Sequence, residues 1–149
     1  MSSDGETPGG AGDRGDLPPR LFVYGSLRKG EESAMASFLH GHARYLGRGT
    51  IRARLYGISW YAGAVMSDDP ADAVLGDVFE LEPATAGDVL AALDEYEGAD
   101  FERLSVEVIM ADETRVAADA YLYAASVAGR SWIAHGDWPR QVRQEHESG

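Results

Sequence analysis

The chain has 149 residues, 44% of them hydrophobic, enough for one buried core and too short for two ordinary domains. Thirteen basic against 25 acidic residues give a net charge of −12, a surface that repels phosphate, so neither nucleic acid nor an anionic membrane is an expected partner. The absence of cysteine excludes disulfides, thiolate metal sites and cysteine nucleophiles; with no basic-then-apolar leader and no apolar run of about 18 residues, the chain is expected to be soluble and cytoplasmic.

Residues 1–19 hold five glycines and three prolines with almost no large apolar side chain, and read as a disordered tail. Residues 139–149 read as a second polar tail, and the folded domain is expected over 20–138 with no internal repeat. Within it, Leu21 to Tyr24 is an apolar run stopped by Gly25, as in a buried strand entering a tight loop. A helix is expected over Glu31 to His40, with Met35, Phe38 and Leu39 at helical spacing. Ile51, Ala53 and Leu55 alternate with Arg52, Arg54 and Tyr56, predicting a strand with one wet face. Leu75, Phe79 and Leu81 repeat the alternation, with Gly76 as a bulge or close-approach point.

A clear helix follows Pro83: Val89, Leu90, Leu93 and Tyr96 form one stripe, and Gly98 supplies the stop. Leu104, Val106, Val108 and Met110 predict another strand, and a last one runs near Ala117 to Ala124 with Tyr121 and Tyr123 on one face. Five or so strands and two helices make an α+β domain; spacing alone leaves open whether the strands form an open sheet or a barrel.

Glu97 ends the apolar stripe of the second helix, whereas Asp94 and Glu95 point further round, towards solvent. Partial burial and the negative end of the helix dipole both disfavour an ionised carboxyl there and raise its pKa, as general acid/base chemistry near neutral pH requires. The alternative at this stage is a frayed last turn with a solvated acid. Between the first strand and the first helix, Tyr24-Gly25-Ser26-Leu27-Arg28-Lys29-Gly30 can turn successive backbone N–H groups towards a carboxylate or oxyanion, or can be an ordinary strand-to-helix turn. Glu31 and Glu32 stand where a phosphate-binding loop needs Lys and Ser or Thr, which argues against nucleotide binding.

Other groupings are weaker. Asp68, Asp69 and Asp72 lack the order of a calcium loop and read as a solvated turn around Pro70. His40 and His42 have no HExxH pattern around them, no Gly-x-Ser-x-Gly elbow is present, and no metal is expected. Tyr121, Tyr123 and Trp138 read as packing residues.

With Val23 to Gly30, Leu93-Asp94-Glu95-Tyr96-Glu97-Gly98 and Ile133-Ala134-His135-Gly136-Asp137-Trp138 in order, the chain resembles the γ-glutamylcyclotransferase-like family from about Arg20 to Trp138. The resemblance implies a small mixed β-barrel or strongly curled sheet, with Glu97 as the catalytic acid/base and Tyr24, Gly25, Ser26 and Leu27 as the substrate-holding loop. It also implies conversion of a γ-glutamyl amine or peptide to 5-oxoproline and a free amine, with no cofactor. Phe101 stands where many members have Tyr, Ala62 where Pro is common after Tyr61, and His135 in place of a smaller residue. The competing expectation is a non-catalytic module that holds an amino acid or carboxylate in the same cavity. A third is an interaction protein whose acidic surface meets a basic partner. The leaving amine and the oligomeric state are not legible at this level.

Overall fold

A computed structural model describes residues 18–25, 27–28, 33–138 and 141–142. Strands are β1 (Arg20–Val23), β2 (Ala43–Ile51), β3 (Ala53–Gly57), β4 (Ala62–Met66), β5 (Val74–Leu81), β6 (Phe101–Met110), β7 (Arg115–Tyr123) and β8 (Ser131–Ile133); helices are α1 (Ala34–Gly41) and α2 (Ala86–Glu97). Five strands close into a barrel in the order β1-β5-β2-β6-β7, and β4-β3-β8 form a second sheet. The architecture is α+β with a mixed barrel, because β1 runs parallel to β7 while the other barrel pairs are antiparallel. No helix among the described residues is long and apolar enough to cross a membrane.

Alternate residues along the barrel strands feed two separate cores. Phe22, Val74, Val78, Val108, Ala118 and Ala120 belong to one, joined by Leu55, Ala64, Ile133 and Trp138. Leu21, Val23, Phe79, Leu81 and Tyr121 belong to the other, with Leu39 of α1 and Val89 and Leu93 of α2. The helices pack outside the barrel, so the first core is its interior and the second is the layer beneath the helices. Coverage on both faces explains why the β1 sequence is a continuous apolar run rather than an alternation.

The strand expected around Ile51 to Leu55 is two strands. Ile51, Ala53 and Leu55 are all buried as the alternation implies, but the chain breaks at Arg52 and passes from the barrel into the second sheet. Among the described residues eight strands stand where five or so were expected, since β4, β8 and the first half of β2 are rich in glycine and alanine or very short and lack a strong apolar alternation. Helix α1 starts at Ala34, where the Ser33 hydroxyl caps the Ala36 amide at 3.0 Å; the expected earlier start at Glu31 lies outside the described residues. Leu104 is 42% exposed and leaves the buried face that Val106 and Val108 share. Gly76 is a close-approach point: a Cβ there would lie 2.5 Å from the Val23 carbonyl oxygen and 2.5 Å from the Phe22 ring. The bulge lies instead on β2, between Tyr45 and Gly47.

Beyond the expected domain edge at Trp138, the Gln141 amide donates to the Asp137 carbonyl at 3.0 Å, and Val142 packs against the barrel core. The tail expected over 1–19 lies almost wholly outside the described residues.

Candidate active site

One cavity of about 230 Å³ gathers residues from five parts of the chain. Its walls come from β1 and the loop after it (Phe22, Val23, Tyr24, Gly25, Leu27), the turn into β4 (Trp60, Tyr61, Ala62), the end of α2 (Tyr96, Glu97), β6 and β7 (Phe101, Tyr121), and Trp138. Glu97 and the loop after Tyr24, more than 70 residues apart in sequence, therefore open into the same space. Ser26 lies outside the described residues.

Glu97 is the last residue of α2, followed by the Gly98 cap with φ 85°. The half-buried carboxyl is pushed up from its ordinary 4.5 to about 7, and burial is the cause. Among the described residues no side chain donates to or pairs with this carboxylate, and none of them offsets its desolvation. An acid of this kind holds or releases a proton near neutrality.

Tyr24 is a tie more than a hand. Its hydroxyl donates to the Tyr121 main-chain oxygen at 2.7 Å and accepts from the Ala64 amide at 3.0 Å, linking β1 with β7 and β4. Burial holds the phenol well above its usual range, against the pull of the Ala64 amide, and the charge of Glu97 adds to the rise. The hydroxyl's proton and one of its lone pairs are taken up in these bonds, and Tyr24 also lines the cavity.

Behind the loop, the buried Arg28 side chain donates through Nε to Asp77 at 3.2 Å and through Nη1 to Asp137 at 3.1 Å. The Tyr45 hydroxyl donates to the other Asp77 oxygen at 3.2 Å. The His40 ring contacts the Leu27 carbonyl through Nε2 at 2.9 Å and stacks on Phe79. These contacts fix the loop from its outer side. Sequence reasoning passed over Asp77, although an acid inside the buried run Val74 to Leu81 calls for a partner and Arg28 is the cation nearest the motif.

Asp94 is exposed as expected, yet it is fully engaged. Arg103 donates to it through two nitrogens at 2.8 and 3.3 Å, and the Tyr121 hydroxyl donates at 2.6 Å. The Arg103 bonds hold the Asp94 carboxyl below its ordinary range, burial opposes this, and the Tyr121 bond reinforces it. Arg103 also reaches Asp119 at 2.8 Å, so α2, β6 and β7 are pinned together one turn before Glu97.

The remaining sequence candidates resolve into structure. Asp72 accepts from Arg54 at 2.7 Å and from the Ser67 hydroxyl at 2.5 Å, and Asp69 accepts from the Ala71 amide at 2.9 Å, as in a closed turn. His42 contacts the Phe38 carbonyl, and His135 contacts Gln141 and the Asp137 amide and is not among the described lining residues of the cavity. Among the described residues no group of three or more acidic or histidine side chains is arranged to hold a metal ion. Phe101 presents a hydroxyl-free ring to the cavity, 6.0 Å from Tyr61 and 5.4 Å from Tyr123 between centroids. Tyr96, expected on the apolar stripe, is 40% exposed at the cavity edge.

Solved structures share this arrangement of strands and helices. The uncharacterized protein PH0828 from Pyrococcus horikoshii aligns at 23% identity and TM-score 0.65, covering 87% of this chain and 97% of that one. An AIG2-like protein from Mus musculus aligns at 19% identity and TM-score 0.64, covering 82% and 95%. Protein ytfP from Escherichia coli aligns at 30% identity and TM-score 0.55, covering 83% and 98%. No protein of curated function matches the chain. Residues 21–140 match the family model for γ-glutamyl cyclotransferase, AIG2-like proteins, and the chain belongs to that family.

Proposed function

We propose that the protein is an enzyme that converts a γ-glutamyl amine or peptide to 5-oxoproline and a free amine, with Glu97 as its single general acid/base. The observation that carries this reading is a carboxyl held near neutrality by burial, in the same cavity as the loop after Tyr24.

A γ-glutamyl compound contains its own nucleophile, so the protein's task is to hold it folded, with the α-nitrogen against the γ-carbonyl carbon. Ionised Glu97 takes a proton from the α-ammonium. The freed amine attacks the carbonyl, forming the ring C–N bond and a tetrahedral oxyanion. Collapse breaks the bond to the departing nitrogen, which receives the proton from Glu97. The regenerated carboxylate then takes the second proton from the ring nitrogen, leaving a neutral lactam, and passes it to the released amine, which departs as an ammonium. Backbone N–H groups of Gly25, Ser26 and Leu27 would hold either the substrate α-carboxylate or the oxyanion. The chemistry draws on no cofactor, and the absence of cysteine is compatible with action in the cytoplasm.

The test is 5-oxoproline release from a panel of γ-glutamyl compounds by the parent and by Glu97→Gln. The variant is expected to lose about 10²–10⁴-fold in kcat while retaining its fold and ligand binding. Turnover within a few-fold of the parent would remove Glu97 from the mechanism. Tight binding of a panel member without 5-oxoproline from either protein would make the cavity a binding site only.

A further inference from the structure

The cavity has an outer edge that the reacting atoms do not explain. Trp60 is 76% exposed, and its ring meets Tyr61 edge-on at 5.1 Å. Tyr61 in turn faces Phe101 at 6.0 Å, and Phe101 meets the buried Tyr123 at 5.4 Å. A ladder of aromatic rings thus runs from the protein interior to solvent, and Trp60, Tyr61 and Phe101 of that ladder line the cavity, with Tyr96 also in its wall. Single exposed apolar residues are common, but several aromatic rings converging on one cavity mouth mark a place where an apolar ligand is received.

Charge narrows the ligand further. Glu97 is the one charged side chain among the described lining residues, and the nearby guanidinium of Arg28 is turned to Asp77 and Asp137. A departing amine that carried its own carboxylate, as an amino acid or peptide does, would bring a further negative charge, beyond the glutamyl carboxylate, into a cavity that already holds Glu97, with no described cation in the wall to meet it.

Resting on the cyclotransferase reading, we propose that Trp60, Tyr61, Tyr96 and Phe101 form the subsite for the departing amine, selecting amines with an apolar, above all aromatic, body and no carboxylate. The glutamyl half, with its ammonium and carboxylate, faces Glu97 and the polar loop. The departing half extends towards solvent along the rings, where offset or edge-on stacking adds to simple burial.

The test compares kcat/KM for 5-oxoproline release from γ-glutamyl phenethylamide, γ-glutamyl methylamide and γ-glutamylglycine. The phenethylamide is expected to exceed the methylamide by about tenfold, with γ-glutamylglycine slowest. Trp60→Ala, at a solvent-facing position, is expected to bring the first ratio to within about twofold. Equal rates for all three, faster turnover of γ-glutamylglycine, or a ratio unchanged in Trp60→Ala would overturn the assignment while leaving the cyclotransferase reading intact. Release from none of the three would count against the reaction, and calorimetric binding of the same compounds would then decide the subsite. Tightest binding of the phenethylamide, weakened by Trp60→Ala, would uphold it; equal or absent binding would overturn it.

Discussion

The Tyr24 hydroxyl and the Tyr121 main-chain oxygen are joined at 2.7 Å, across 97 residues of sequence, where β1 meets its parallel neighbour β7. The same hydroxyl accepts the Ala64 amide from the second sheet. Tyr24→Phe deletes both bonds while keeping the ring, and leaves a buried amide and carbonyl short of a partner. A loss of about 2 kcal/mol in unfolding free energy is expected, read from the denaturant midpoint. A midpoint unchanged from the parent would mean that the tie contributes nothing to holding barrel and second sheet together.

Glu97 makes the protein's stability depend on pH in a direction opposite to that of an ion-paired acid. Its folded-state pKa of about 7 lies above the ordinary 4.5, so the folded protein holds this proton more tightly than the unfolded chain does. The contribution is fully present below about pH 4.5 and is lost as pH rises through about 7, a change on the order of 3 kcal/mol. Glu97→Gln removes it. The stability difference between variant and parent should therefore grow in favour of the variant from pH 4.5 to 8, as measured by chemical unfolding at several pH values. Parallel curves for the two proteins would show that the carboxyl is not desolvated.

Arg28 holds the loop from behind through Asp77, which is 3% exposed, and Asp137. Arg28→Met keeps much of the side chain's bulk and leaves the Asp77 charge buried without its guanidinium, a change that typically costs about 3–5 kcal/mol. Adding Asp77→Asn should recover a substantial part of that loss, because the double variant no longer buries a carboxylate that has lost its guanidinium. Additive losses in the double variant would argue that Arg28 acts through packing alone.

The local patterns carried a good deal of this protein. The run Leu21 to Tyr24 ending at Gly25, the stripe Val89, Leu90 and Leu93 ending at Glu97, and the alternation through Val106 and Val108 all correspond to elements of the structure. They are legible because side-chain periodicity follows from the backbone geometry of a single strand or helix, which neighbouring residues dictate. The motif around Glu97 and the loop after Tyr24 could be picked out for the same reason.

What the chain pattern left open was decided by pairings between distant segments. Closure of the barrel depends on β1 lying parallel to β7, and the break at Arg52 depends on which sheet each side joins. The raised pKa of Glu97 depends on what covers the carboxyl, and the placement of Trp60 and Tyr61 beside it depends on how the second sheet meets the barrel. Desolvation and register are properties of the assembled surfaces, so no stretch of sequence contains them by itself.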